Sequence, residues 1–153
     1  MGPHTSLLFL HVLSASIWFG GYVVMFFIIL PKAKRDGEPE VFIEFERSFQ
    51  KIGFPALLAQ LITGPILATR FLPDPLDWFK FQTPDQDHVA SKIIFLFIII
   101  VLVLRTRSNT VPRLRAGDPK AMRSAKWITF WILFLAFSNI MMGMSVHTAG
   151  FSY

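Results

Sequence analysis

Four long apolar runs dominate this sequence and limit what the chain can fold into. They lie at residues 6–30, 54–72, 89–104 and 127–149, and each is near the roughly 20 residues that a helix needs to cross about 30 Å of hydrocarbon. The spanning helices predicted from them cover about 6–30, 54–72, 88–105 and 127–149. Charged residues make up only 16% of the chain, against roughly 25% in ordinary globular proteins. The sequence therefore predicts an all-α integral membrane protein, a four-helix bundle that forms one domain over residues 1–153.

The distribution of Lys and Arg predicts how the bundle is oriented. The second connection holds only Arg70 and Lys80, whereas the first and third connections are strongly basic. The basic residues of those two connections are Lys32, Lys34, Arg35, Arg47, Lys51, Arg105, Arg107, Arg113, Arg115, Lys120, Arg123 and Lys126. The positive-inside rule then places both termini outside. We expect a bacterial inner-membrane protein with periplasmic termini, and we interpret the basic loops as topology signals, with no nucleic acid as partner.

The first and second connections each show a pattern of their own. In the first, apolar residues recur at helical spacing from Val41 to Ile52, with charged residues on the other faces. This pattern predicts an amphipathic helix between the first two spanning helices, lying on the inner membrane surface and running into the second of them. The second connection, 71–87, is rich in Pro, Asp and aromatic residues, and we expect it to cap the outer end of the bundle.

All four histidines are predicted to lie towards the outer side of the membrane. His4 and His11 belong to the first spanning helix, His88 begins the third, and His147 ends the fourth. His11 lies deepest, about two helical turns or roughly 10 Å into its helix. An ionisable residue at such depth is a functional candidate, and imidazole is a common ligand of haem iron and of copper. The small and polar residues of the other helices could instead serve only to pack the bundle.

Lys92 is a second candidate, because the third apolar run crosses the membrane only if its helix begins near His88. Lys92 then lies in the outer leaflet, where an ammonium group costs on the order of 2 to 3 kcal/mol unless it reaches the headgroups or is paired. Two interpretations remain open. The side chain either extends to the outer headgroups, or it binds an anionic ligand group such as a haem propionate.

Copper is an alternative ligand for the same side of the protein. Met144 and His147 are three residues apart and so adjacent on a helix, and a thioether with an imidazole is a suitable ligand pair for Cu(I). Methionine is also ordinary packing material. The chain has no cysteine, which excludes thiolate sites. We expect every Asp and Glu to lie in a connection, and neither a phosphate-binding loop nor a serine nucleophile motif is present, so the sequence does not favour hydrolysis or phosphoryl transfer.

Short motifs spread over most of the chain carry a family resemblance. They are Leu10-His11, Trp18-Phe19-Gly20-Gly21, Arg47-Ser48-Phe49, Thr63-Gly64, Lys92 and Val111-Pro112-Arg113-Leu114. Together they resemble the copper-resistance protein D (CopD) family, whose members are usually longer. The spacing from histidine to tryptophan is also similar to that of the HemJ-type protoporphyrinogen oxidases, a related family of small haem-binding membrane proteins.

The resemblance implies a membrane bundle with a haem or metal near the outer side. It implies that His11 matches the first-helix histidine, a haem ligand in the HemJ group, and that Lys92 matches the lysine that begins the third helix. The HemJ pattern also has a Tyr-His pair at the end of the first helix and another in the third. Here the first helix ends in Ile28-Ile29-Leu30-Pro31, and its third helix has no internal histidine, so we do not expect protoporphyrinogen oxidation.

Three functions follow from these patterns and stay open at this point. The first is a b-type haem protein for electron transfer, with His11 and either His147 or His88 as axial ligands, Lys92 near a propionate, and a quinone or an outer-side redox partner. Whether it would also be a haem-dependent oxidoreductase is open. The second is a copper-binding or copper-transport protein that uses His4, His11, His88, Met144 and His147. The third is a cofactor-free subunit of a homo-oligomer or larger membrane complex.

Overall fold

The fold is all-α, as the apolar runs predict. A computed structural model describes the backbone of residues 2–148 and the side chains of residues 5–144. Its α-helices are α1 (Pro3–Val24), α2 (Leu30–Asp36), α3 (Pro39–Phe71), α4 (Pro84–Arg105), α5 (Val111–Arg115) and α6 (Pro119–Thr148). Two π-helical turns, Met25–Ile29 and Thr106–Thr110, join α1 to α2 and α4 to α5, and a short 3-10 helix, Pro75–Asp77, lies in the second connection.

In the described part of the chain, four helical segments are long and apolar enough to cross a membrane, which confirms the predicted number. They are Thr5–Asp36, Pro39–Phe71, Pro84–Arg115 and Pro119–Met144. Each begins earlier or ends later than the apolar run that predicted it, because hydropathy marks the part of a helix that suits lipid, whereas Lys and Arg also favour helix and continue it beyond that part. The side of the membrane on which the termini lie stays a prediction.

The predicted amphipathic segment is the first part of α3 and not a separate element. Its side chain Phe42 is fully buried at 0% exposure, and Ile43 beside it is buried too, whereas Ile52 is exposed. Val41, Phe45 and Phe49 pack against the same buried cluster. Most of the apolar face therefore contacts the rest of the protein, and the position of this segment on the membrane surface stays a prediction.

The first spanning helix is central to the packing, because α1 contacts both α3 and α6, while α4 contacts α6. Close approach of α1 and α3 depends on glycine. The ring of Phe49 lies between Gly21 and Gly53, and a methyl group added at Gly21 would overlap that ring. The same ring meets Tyr22 edge-on, with 5.8 Å between the ring centroids.

The two ends of the bundle differ in what they bury. We call one the basic end, formed by α2, the start of α3, α5 and the start of α6, and the other the histidine end, formed by the starts of α1 and α4 and the ends of α3 and α6. Most buried residues at or next to the basic end are apolar, although Glu46, Thr106 and Thr110 are buried there as well. The apolar ones include Met25, Leu30, Ala33, Phe42, Ile43, Leu114, Ala121 and Ala125. Several of those towards the histidine end are polar: Ser14, Thr63 and Gln86.

The second connection has its own set of hydrogen bonds, and its position as a cap over the outer end of the bundle stays a prediction. The buried Trp78 donates from Nε1 to the Leu72 carbonyl oxygen at 2.9 Å. Thr83 accepts from the Gln86 backbone N–H and so caps α4. Lys80 forms an ion pair with Asp77, whose hydrogen bond raises the pKa of the Lys80 ammonium above its ordinary value. This connection is thus held in place by polar contacts.

Candidate functional site

His11 is held in one orientation by a chain of hydrogen bonds to α3. Its Nδ1 lies 2.7 Å from Oγ1 of Thr63, and the Thr63 hydroxyl donates to the carbonyl oxygen of Ala59 at 2.6 Å. A hydroxyl has one proton to give, so Thr63 must accept from His11, which puts the imidazole proton on Nδ1. Nε2 therefore keeps its lone pair, and no residue among 5–144 bonds to it.

The same part of α3 fixes the backbone of His11. The side-chain amide of Gln60 donates to the His11 carbonyl oxygen, and Gln60 lies one turn before Thr63 and Gly64. A Cβ added at Gly64 would stand 3.5 Å from Cε1 of His11, so the small residue leaves the imidazole in ordinary contact with α3. Thr63 itself is 2% exposed, which makes its hydrogen bond to His11 a contact inside the bundle.

Lys92 approaches the site from the other side. Its Nζ would lie 3.5 Å from a Cβ added at Gly143 on α6, so the ammonium rests against a part of α6 that has no side chain. Lys92 is also close enough to His11 to act on the imidazole electrostatically. His11 and Lys92, two of the residues that the sequence predicts for the site, thus lie within electrostatic range of each other.

Asn139 adds a polar atom that the sequence did not place in the site. It lies one helical turn before Gly143 on α6, and its Oδ1 is buried without a hydrogen-bond partner in the part of the chain that the structure describes. A buried acceptor without a partner costs free energy. The helix face around Gly143 therefore offers an acceptor to a ligand or a water molecule.

His88 has a different environment from His11. Its Nε2 contacts the carbonyl oxygen of Met142, which ties the start of α4 to the end of α6. A carbonyl oxygen can only accept, so Nε2 of His88 donates to it. This hydrogen bond holds the His88 ring against the end of α6.

The remaining predicted ligands are only partly described. The side chains of His4 and His147 lie outside the described residues, although the backbone places His147 on α6 one turn after Gly143. Met144 is 57% exposed and lies about 100° around the helix from Gly143. Within residues 5–144, no group of three or more His, Cys, Asp or Glu side chains could hold a metal ion.

One buried carboxylate was missed at the level of sequence. We expected every Asp and Glu to lie in a connection, and this was wrong for the acidic residues that lie within α-helices: Asp36, Glu40, Glu44, Glu46, Asp85 and Asp87. Of these, only Glu46 is buried, at 8% exposure. Gln50 donates to Glu46, and Arg107 donates to Oε1 of Gln50 at 3.0 Å. The sequence could have predicted this burial, because Glu46 follows Phe42 by one turn and so lies on the same apolar face of α3.

Comparisons with protein-family models, with curated proteins and with solved structures find no match to this chain. The resemblance to the CopD and HemJ groups therefore stays a prediction. Function has to be inferred from the geometry around His11 and Lys92.

Proposed function

We propose that the protein is a b-type haem protein of the bacterial inner membrane with a role in electron transfer, and that His11 is one axial ligand. The observation that best supports this is the hydrogen-bond chain from His11 through Thr63 to Ala59. Histidine ligands of metals usually donate their second ring nitrogen to a protein acceptor, which fixes the tautomer and the ring orientation. His11 has this arrangement in advance of any ligand.

The residues around His11 fit the chemistry of a haem edge. Lys92 would place a cation beside a propionate carboxylate, and that pairing would offset the cost of holding an ammonium at this depth. Asn139 would offer its acceptor to the same ligand or to a bound water molecule. Gly64 and Gly143 present small faces, against which His11 and Lys92 pack.

The second axial ligand in this proposal is His147, because α6 carries it on the same side as Gly143. His88 is the alternative, and its Nε2 donates to the Met142 carbonyl oxygen. A bound haem would supply one-electron chemistry, and the chain would orient the imidazole, place the cation and exclude water. A quinone or an outer-side redox partner would exchange the electron, and whether the protein assembles as a homo-oligomer belongs to the same proposal.

The absorption spectrum of protein purified from haem-replete cells tests the proposal. We expect a Soret band in the wild type and its loss in His11→Ala. His88→Gln is the matched control, because a glutamine amide can also donate to the Met142 carbonyl oxygen, and this variant should keep the band. A wild type without a Soret band, or a His11→Ala spectrum equal to that of the wild type, would contradict the assignment.

Elemental analysis of the same samples separates the two alternatives. Copper without iron would favour the copper protein, and in that case Met144→Leu should lower the copper content, whereas it should leave a haem site unchanged. The exposed position of Met144 is the reason that we rank copper second. A metal-free protein of unchanged stability that copurifies with a larger complex would favour the cofactor-free subunit.

A further inference from the structure

A cleft at the basic end has the character of a binding site that the proposed function does not use. It lies between the end of α4 and the start of α6 and has a volume of about 380 Å³. Four cationic side chains line it: Arg105, Arg113, Lys120 and Arg123. Ser124, Trp127 and Ile128 complete its wall. Three separate parts of the chain thus contribute cationic residues to one concave surface, beside apolar ones.

Most of this charge is not neutralised by the protein. Arg113 forms an ion pair with Asp118, with 2.7 Å between Nη2 and Oδ2. Arg105, Lys120 and Arg123 form no ion pair within the part of the chain that the structure describes. Four cations against one carboxylate leave an excess of positive charge, and such a cleft attracts an anion. The guanidinium groups are also well shaped to bind phosphate oxygens.

The surroundings of the cleft indicate where the anion comes from. Trp127 lines the cleft and is exposed, as an aromatic residue at a membrane interface would be. Next to the cleft, Leu104 precedes Arg105 on α4 and Trp131 follows Trp127 by one turn on α6, and both are exposed and apolar. A ligand with a phosphate group at one end and hydrocarbon at the other would contact both surfaces, whereas free phosphate would use only the cationic one.

We propose that this cleft binds the headgroup of an anionic phospholipid from the leaflet at the basic end. The phosphate would lie among Arg105, Lys120 and Arg123, with Trp127 at the level of the glycerol and the acyl chains along Leu104 and Trp131. The Arg113–Asp118 pair would border the site. Such a lipid would bridge α4 and α6 across the connection that α5 forms.

Native mass spectrometry of the full chain in detergent, with added phosphatidylglycerol or phosphatidylcholine, tests this assignment. We expect the wild type to retain phosphatidylglycerol in preference to phosphatidylcholine. The double variant Lys120→Gln/Arg123→Gln should lower the apparent affinity for phosphatidylglycerol at least about tenfold, since each cation near an anionic lipid surface contributes several-fold to binding.

The matched control is Arg115→Gln/Lys126→Gln, which removes the same charge from the same connection but from residues that do not line the cleft. Equal losses in the two double variants would mean that only overall charge matters, and the cleft would not be the site. Displacement of the lipid by millimolar inorganic phosphate would assign the cleft to free phosphate instead. The lipid preference of the wild type needs no variant, so a wild type without it would overturn the proposal even if the variants fail to fold.

Discussion

The basic end and the histidine end of this bundle are built in different ways. At the basic end, apolar side chains such as Phe42 and Met25 are buried, at 0% and 1% exposure. At the histidine end, hydrogen bonds between helices involve the histidines themselves: His11 pairs with Thr63, and His88 pairs with the Met142 backbone. The difference suggests that the basic end stabilises the fold, which leaves the histidine end free to hold polar groups for function.

This division has a physical reason in a membrane. Apolar helices gain no hydrophobic free energy by leaving lipid for one another, so close packing and hydrogen bonds have to hold them together. Phe49 between Gly21 and Gly53 is an example of such packing. Hydrogen bonds at the histidine end can orient ligands, but each is worth only a fraction of a large core side chain. Substitutions at the two ends should therefore differ in both size and kind.

The largest loss of stability should come from the core of the basic end. Phe42→Ala removes a fully buried ring, and we expect the free energy of unfolding to fall by about 3 kcal/mol. This value is at the lower end of the range for Phe to Ala substitutions in protein cores, because lipid tails can fill part of the cavity. Phe54→Ala on the same helix removes a ring that is 63% exposed and should change little. Titration of the detergent-solubilised protein with SDS measures both. Equal losses would mean that the basic end does not dominate stability.

A smaller loss is expected where α1 and α3 approach each other. Gly21→Ala would place a methyl group against the Phe49 ring and should lower the free energy of unfolding by about 1 to 3 kcal/mol, as overpacking does. Gly20 is its neighbour, and a Cβ there would meet no atom within 4 Å. Gly20→Ala should instead stabilise the helix by about 0.5 to 1 kcal/mol. The same SDS titration measures whether each variant raises or lowers the free energy of unfolding. A destabilising Gly20→Ala would contradict this interpretation.

At the histidine end, the expected effect is on the ligand more than on the fold. Thr63→Val keeps the shape of the side chain but removes the acceptor for His11, and loss of such a partner typically weakens metal binding at least about tenfold. We expect faster loss of haem to an acceptor protein and a changed reduction potential. Thr63→Ser keeps the hydroxyl and should restore both. If Thr63→Val behaves as the wild type in both measurements, Thr63 does not position His11.

The sequence predicted the helices of this protein better than it predicted their contacts. Hydropathy identifies four spans because each lies within one stretch of chain, and the depth of His11 follows from the helical rise. The partners of His11 and Lys92 depend on which helices are neighbours, and a periodic pattern does not contain that information. The sequence shows that Thr63 and Asn139 are polar, but it does not show which residues they contact. Glu46 was assigned to a connection because it is charged, although its spacing from Phe42 places it on the buried face of α3.

The smallest effect should come from the polar connection at the basic end. The Lys120 backbone N–H donates to Asp118 at 2.8 Å, and this bond together with the Arg113 guanidinium holds the pKa of Asp118 below its ordinary value of 3.8. A lowered pKa means that the ionised carboxylate stabilises the folded protein. That contribution is complete above the ordinary value and is lost as the pH falls through the lowered one.

Asp118→Asn isolates this contribution, because an asparagine can still accept from Lys120 but does not pair with Arg113. We expect a small fall in Tm at pH 7, and the difference from the wild type should vanish at a pH below the lowered pKa of Asp118. Asp118→Ala, which also removes the cap of α6, should show a larger fall at pH 7. A difference between Asp118→Asn and the wild type that persists in acid would mean that the charge of Asp118 is not what stabilises this connection, and that the basic end depends on its apolar core alone.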